Sequence, residues 1–151
     1  MLLLKIKRID EAINNPLPFY ATEFSSGMDI SSASREPIII SSLETKLIPT
    51  NLLFEIPLGY EGQIRPRSGL AIKHSIGILN SPGTIDSDYR GELKILLTNF
   101  GKTPYKVQFG DRIAQLVIVK TEKVEIIQVN DLSNTTRNQG GFGHTGIKHD
   151  K

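Results

Sequence analysis

The stretch LLLKIKRI, residues 2–9, sets Leu2, Leu4 and Ile6 on one side and Lys5 and Lys7 on the other. That period of two belongs to a half-buried β-strand. Similar short runs fill most of the chain: MDISSA (28–33), PIIIS (37–41), TKLIPT (45–50), LLFEIP (52–57), GQIRPR (62–67), SIGIL (75–79), ELKILLTN (92–99), YKVQF (105–109), RIAQLVIV (112–119) and VEIIQV (124–129). Glycine- and proline-bearing turns separate them: PLGYEG, NSPGT, NFGKTP and FGDR. Many short strands at even spacing predict an all-β sandwich, jelly roll or barrel. SGLAIKHS (68–75) departs from the pattern and predicts a turn or two of helix. From Asn130 the composition turns polar and glycine-rich, so the chain divides into a core over 1–130 and a flexible C-terminal arm over 131–151.

The bulk properties are those of one globular domain: 151 residues, 38% hydrophobic, 23% charged. A net charge of +2 is too small to argue for nucleic acid or a membrane surface. The absence of cysteine excludes disulfides, thiolate metal sites and cysteine nucleophiles, and fits a reducing compartment. His74, His144 and His149 form no zinc-ligand spacing. The N-terminal apolar run precedes its basic residues, the reverse of a signal peptide. A cytoplasmic protein is expected.

Five stretches carry possible chemistry. In SSGMDISSA, Asp29 points away from Met28 and Ile30, and a solvated strand face is the plainer reading. In RPRSGLAIKHS, Arg65 and Arg67 share a strand face and Ser68 and Gly69 open the short helix, a convergence of donors suited to an anion. In NSPGTIDSDYRGEL, a tight turn from Asn80 to Gly83 precedes Asp86, Asp88, Tyr89 and Arg90. That crowd suits a general base beside a sugar ring or a hard cation, or an ordinary Asp- and Gly-rich turn. In FGDRIAQLVI, Gln115 lies on the face opposite Ala114 and Leu116, where it bridges structure or contacts a ligand. The tail GGFGHTG (140–146) spells G-x-G-x-x-G, yet no helix can follow it, so a dinucleotide loop is excluded. Phe142 there needs a docking place, either a base to stack on or a hydrophobic pocket on a partner.

Taken together, SGMDISS, PRSGLA, GTIDSDYRGE, GDRIAQ and RNQGGFGHTG, in that order over residues 24–146, resemble the five motifs of the trimeric dUTPases. Two positions depart: Ser26 stands where alanine is usual, and Asn138 where glycine is usual, which stiffens the arm. The resemblance implies a distorted β-barrel of jelly-roll type. It implies hydrolysis of dUTP to dUMP and pyrophosphate with Mg²⁺, by attack of water on the α-phosphorus. That reaction keeps uracil out of DNA and supplies dUMP for thymidylate synthesis. Carried over by motif, Asp86 orients and deprotonates the water, and Tyr89 lies against the deoxyribose. The hairpin of Asn80, Gly83, Thr84 and Ile85 reads uracil, with Lys94 lining the same site. Arg67, Ser68 and Gly69 bind phosphate, Gln115 lies near the α-phosphate, and Asp29 helps hold the metal's water shell. Arg137 faces the γ-phosphate, while Gly141, Phe142 and Gly143 close over the base.

In this family each site draws on all three subunits of a homotrimer, with the arm as a lid over a neighbour's site. An extended arm over 130–151 spans roughly 70 Å, against a radius of gyration near 15 Å for a domain of this size. The resemblance implies no nucleic-acid or membrane partner. A dCTP deaminase of the same fold is the nearest alternative and would use Glu92. A catalytically silent nucleotide-binding module and a purely structural jelly roll complete the alternatives.

Overall fold

The computed structural model describes residues 2–140. The fold is all-β with one short helix. The strands are β1 (Lys5–Arg8), β2 (Phe19–Tyr20), β3 (Met28–Ser31), β4 (Ile38–Ile40), β5 (Thr45–Glu55), β6 (Tyr60–Arg65), β7 (Ile76–Ile78), β8 (Gly83–Ile85), β9 (Glu92–Asn99), β10 (Tyr105–Val107) and β11 (Arg112–Lys120), with helix α1 (Ser68–His74) after β6. They form a four-stranded sheet β1-β5-β9-β7, a five-stranded sheet β2-β3-β11-β6-β8 and a two-stranded sheet β10-β4. All pairings are antiparallel. The arrangement is jelly-roll-like. This agrees with the all-β, jelly-roll-type fold with one short helix that the sequence suggests, and among the described residues the strands form three sheets without a closed ring.

The core follows from the alternation. In β9, Leu93, Ile95 and Leu97 are buried while Lys94 faces out. Ile30, Ile40, Ile48, Leu52, Ile76, Ile113 and Leu116 join them in one cluster. Isoleucine dominates because a β-branched side chain packs well on a pleated surface.

Two expected strands, TKLIPT and LLFEIP, are one strand, β5. Pro49 looks like a break in the sequence but sits beside a register shift between Pro49 and Leu53. On the β1 side, pairing covers only Leu52–Glu55, so the missing N–H of Pro49 breaks no ladder bond there. Asn51 takes a left-handed φ of 60° at the bulge. Its side chain accepts from Asp10 N–H (2.9 Å) and donates to the Asp10 carbonyl (2.9 Å). The Glu92 carboxylate caps the free Thr50 and Asn51 N–H groups at 3.2 and 2.9 Å.

The expected strand VEIIQV does not form. β11 ends at Lys120, and residues 121–140 carry neither strand nor helix. Val124, Ile126, Ile127, Val129 and Leu132 are all exposed. A strand needs a ladder partner, and β11 is already paired on both edges, to β3 and to β6.

Candidate active site

Two clefts gather the residues singled out by sequence. The first, about 290 Å³, is lined by Ala21, Ser25, Ser26, Gly27, Asp29, Arg67, Ser68, Gly69, Arg112 and Gln115. β3 and β11 bring Asp29 opposite Gln115, and β6 brings Arg65 opposite Gln115 from the other side. The chain then turns at Pro66 and Arg67 into α1, whose N-cap is Arg67. The helix ends where Ser75 adopts φ 55°, its N–H returning to the Ala71 carbonyl.

Asp29 is only 9% exposed. Its Oδ1 accepts from Arg67 Nε and its Oδ2 from Arg112 Nη1, both at 2.9 Å. The solvated strand face expected for Asp29 taken alone is therefore replaced by a buried carboxylate held by two guanidinium groups. Arg67 Nη1 also donates to the Arg112 carbonyl (3.1 Å). Gln115 Nε2 donates to the Pro66 carbonyl (2.9 Å), so the glutamine bridges β11 to the loop that carries Arg67. Gly27 permits this, since a Cβ there would stand 2.6 Å from Gln115 Oε1. The cleft thus holds two arginines against one carboxylate, with a hydroxyl and helix-start N–H groups beside them, a site for an anion. Arg65, expected to share this face, bonds to Gln63 Oε1 and is not among the lining residues.

The second cleft, about 280 Å³, is lined by Leu47, Thr84, Ile85, Asp86, Tyr89, Glu92 and Lys94. β8 and β9 supply it. Asp86 is exposed and opens a turn closed by the Tyr89 N–H donating to the Asp86 carbonyl (3.1 Å). The Tyr89 hydroxyl donates to the Glu92 carbonyl (3.1 Å). At Gly91 a Cβ would stand 2.3 Å from that hydroxyl, so the ring lies flat over a glycine. At the hairpin, the Asn80 side chain lies over Gly83, where a Cβ would stand 3.0 Å from Nδ2. Glu92, the residue a deaminase would need, has its Oε1 committed to the β5 bulge.

The two clefts share no residue. β8 pairs with β6 so that Ile85 faces Gly62, with Asp86 beyond it and Arg67 past the other end of β6. Asp86 and Arg67 therefore stand past opposite ends of the stretch of β6 that runs from Gly62 to Arg65. Arg137 is brought to neither cleft. It is exposed, and its Nε donates to the Gly140 carbonyl (2.7 Å). Asn138 has φ 40°, a left-handed conformation that asparagine tolerates, so losing the usual glycine leaves the turn attainable. Gly141, Phe142, Gly143 and His144 lie outside the described residues. His74 packs against Tyr105 in a tilted arrangement, with ring centroids 5.1 Å apart.

Arg112 is the cleft residue that sequence reasoning passes over, taking it for part of a turn. It stands three positions before Gln115, so plain alternation sends the two to opposite faces. A register shift between Arg112 and Ala114 inserts one residue and returns Arg112 to the face of Asp29. The adjacent buried pair Ile113 and Ala114 marks the bulge.

The dUTPase family profile matches residues 14–146. A deoxyuridine 5'-triphosphate nucleotidohydrolase of Thermoanaerobacter sp. (strain X514) is 50% identical over 146 residues, covering 97% of this chain and 99% of that protein. The dUTPase of Staphylococcus bacteriophage 80alpha, solved with dUpNHpp, superposes with a TM-score of 0.87 at 29% identity, covering 96% of this chain and 99% of that one. A mutant dUTPase from phage phi11 of S. aureus, whose structure describes coordination of a structural Mg(II) ion, superposes with a TM-score of 0.78 at 27% identity, covering 87% and 99%. Likeness over nearly the whole length, in sequence as in fold, makes this chain a member of the dUTPase family.

Proposed function

We propose that this chain hydrolyses dUTP to dUMP and pyrophosphate in active sites that are each assembled from more than one copy of the chain. The observation that carries the shared site is the separation of the two clefts. A general base works within hydrogen-bond reach of the proton it takes, about 3 Å or one water away. Asp86 and Arg67 of one chain stand past opposite ends of β6, in clefts that share no lining residue, which supports their meeting one substrate from different copies. A second copy that brings its arginine cleft against the Asp86 cleft of the first joins the two halves. A head-to-tail contact of that kind forms a ring when its rotation closes, and the family resemblance supports a homotrimer as that ring. The exposed side chains of Val124, Ile126, Ile127, Val129 and Leu132 support the same reading, since apolar groups gathered on one segment suit burial against another copy.

In the assembled site the roles divide by chemistry. The Asn80–Gly83 turn with Thr84 and Ile85 offers backbone groups to the uracil edge, and a site built on hydrogen bonds rejects the wrong base by ~10⁴ or more. Tyr89 lies along the sugar and leaves no room for a 2′-hydroxyl, with Lys94 at the rim. Asp86 accepts a proton from water as the water oxygen bonds to the α-phosphorus. The bond from that phosphorus to the α,β-bridging oxygen breaks, and pyrophosphate leaves. Arg67, Ser68, Gly69 and Gln115 hold the phosphates. Arg137 reaches the γ-phosphate from the arm over 131–151, and Phe142, flanked by Gly141 and Gly143, covers the base. The 1–130 core and this arm act as site and lid.

Mg²⁺ fits this site as an ion carried by the phosphates. Among the described residues no three acidic or histidine side chains converge on one point. Asp29 spends one bond of each oxygen on an arginine, yet a carboxylate has about four acceptor positions, so it can also accept from a metal-bound water. When bound, Mg²⁺ neutralises charge on the phosphates that the arginines alone leave. No described helix is long and apolar enough to cross a membrane, and a chain without cysteine suits the cytoplasm.

Pyrophosphate release from each dNTP, with and without Mg²⁺, tests the activity. Turnover confined to dUTP and dependent on the metal is expected. Equal turnover of dCTP, or ammonia release from it, would move the chain to the deaminase reading. Binding of dUTP without turnover would leave a silent nucleotide-binding module.

A further inference from the structure

We propose that Arg112 is a positioning residue that acts through Asp29 to keep the Arg67 guanidinium turned toward phosphate; the proposal rests on the phosphate reading of the first cleft.

Asp29 is nearly buried and faces two guanidinium groups, one per oxygen. An arginine left alone with a carboxylate tends toward the bidentate fork, in which two of its N–H groups spend themselves on that partner. Here the fork does not form. Arg112 holds Oδ2, Arg67 reaches only Oδ1 and only with Nε, and its Nη1 is drawn to the Arg112 carbonyl. Among the described residues Arg67 Nη2 donates to nothing, and it belongs to a side chain that lines the cleft. The Arg112 side chain is 47% exposed and the Asp29 side chain 11%. The pair is part-buried, and with Arg67 also bonded to Asp29 the carboxylate keeps one cation when Arg112 is removed, so the bond to Arg112 bears on where Arg67 points. The bulge between Arg112 and Ala114 is what aims Arg112 at this carboxylate. Without Arg112, Asp29 is free to take Arg67 into a fork and draw it out of the phosphate cleft.

The test uses the full-length chain. Arg112→Gln should raise KM for dUTP about tenfold, the effect of one charged hydrogen bond misplaced, and weaken pyrophosphate binding by calorimetry in parallel. kcat should change by less than about threefold, because Asp86 and the water belong to the other cleft. Arg112→Lys, a point charge able to hold Oδ2 but without the planar fork, should fall between wild type and Arg112→Gln. In an Asp29→Asn background, adding Arg112→Gln should change KM by less than about twofold, because the path through Asp29 is already cut. Loss of the two side chains that multiplies in full would overturn the proposal and make Arg112 a direct phosphate ligand. So would an unchanged KM in Arg112→Gln with a normal melting temperature. If Arg112→Gln does not fold, Arg112→Lys decides alone: KM and pyrophosphate affinity within about threefold of wild type support the charge-holding role, and a loss of both by about tenfold overturns it. Failure of the dUTP reading is separate. Wild type would then not turn over dUTP, while pyrophosphate binding would still report on Arg67.

Discussion

At the scale of single residues, the second cleft makes two sharp demands. Asp86 stands exposed at the lip of a turn, and among the described residues no arginine lines its cleft. Asp86→Asn keeps the shape and loses the base, so kcat should fall by roughly 10²–10⁴ with dUTP binding nearly intact. Single-turnover kinetics beside calorimetry will show this, and a near-normal kcat removes Asp86 from the role. Tyr89 lies over a glycine whose φ is not left-handed, so Gly91→Ala is tolerated by the backbone but not by the ring. The new Cβ must push Tyr89 aside and break its bond to the Glu92 carbonyl. The ratio of kcat/KM for dUTP over UTP should drop by about tenfold, the order expected when apolar fit around one group is lost. A ratio unchanged in Gly91→Ala and in Tyr89→Ala would mean that the sugar is selected elsewhere.

At the scale of elements, the chain after β11 changes character along one irregular run. Val124, Ile126, Ile127, Val129 and Leu132 are exposed, while residues from Ser133 on are polar and glycine-rich. Ending the chain after Asn134 should leave melting temperature and assembly nearly unchanged and remove most turnover, because Arg137 and Phe142 leave together. Ending it after Lys123 strips the apolar residues as well and should weaken the assembly itself. Light scattering over a dilution series compares the two truncations. Dissociation that is equal in both would show that the apolar run does not join the copies. The element pattern was largely legible in the sequence, because period-two alternation and Gly/Pro turns report directly on strands. β5 was not, because Pro49 reads as a breaker unless the neighbouring bulge and the short reach of β1 are known. Nor was the absence of a strand at 124–129. Its alternation is genuine, and what it lacks within one chain is an edge to pair with.

At the scale of the molecule, the distance between clefts turns an activity into an assembly question. If each site takes Asp86 from one copy and Arg67 from another, two inactive variants should complement. Asp86→Asn and Arg67→Ala chains, mixed under conditions that allow subunit exchange, place both native side chains in about a quarter of the sites of a closed ring. Activity should rise toward about a quarter of the wild-type rate at equal mixing, from near zero for either variant alone. A mixture no more active than its components would mean that each chain carries a complete site.

The sequence by itself determined most of the strands, the short helix and the order of the five motifs that mark the family, because these depend on local periodicity and on residues close along the chain. Tertiary structure alone decided that Asp29 is buried between two arginines, that Arg112 belongs with them and that Asp86 stands at the far end of β6 from Arg67. Each of those depends on which strands become neighbours and on a one-residue bulge in their register. Pairings of that kind join residues tens of positions apart, and no local pattern in the chain encodes them.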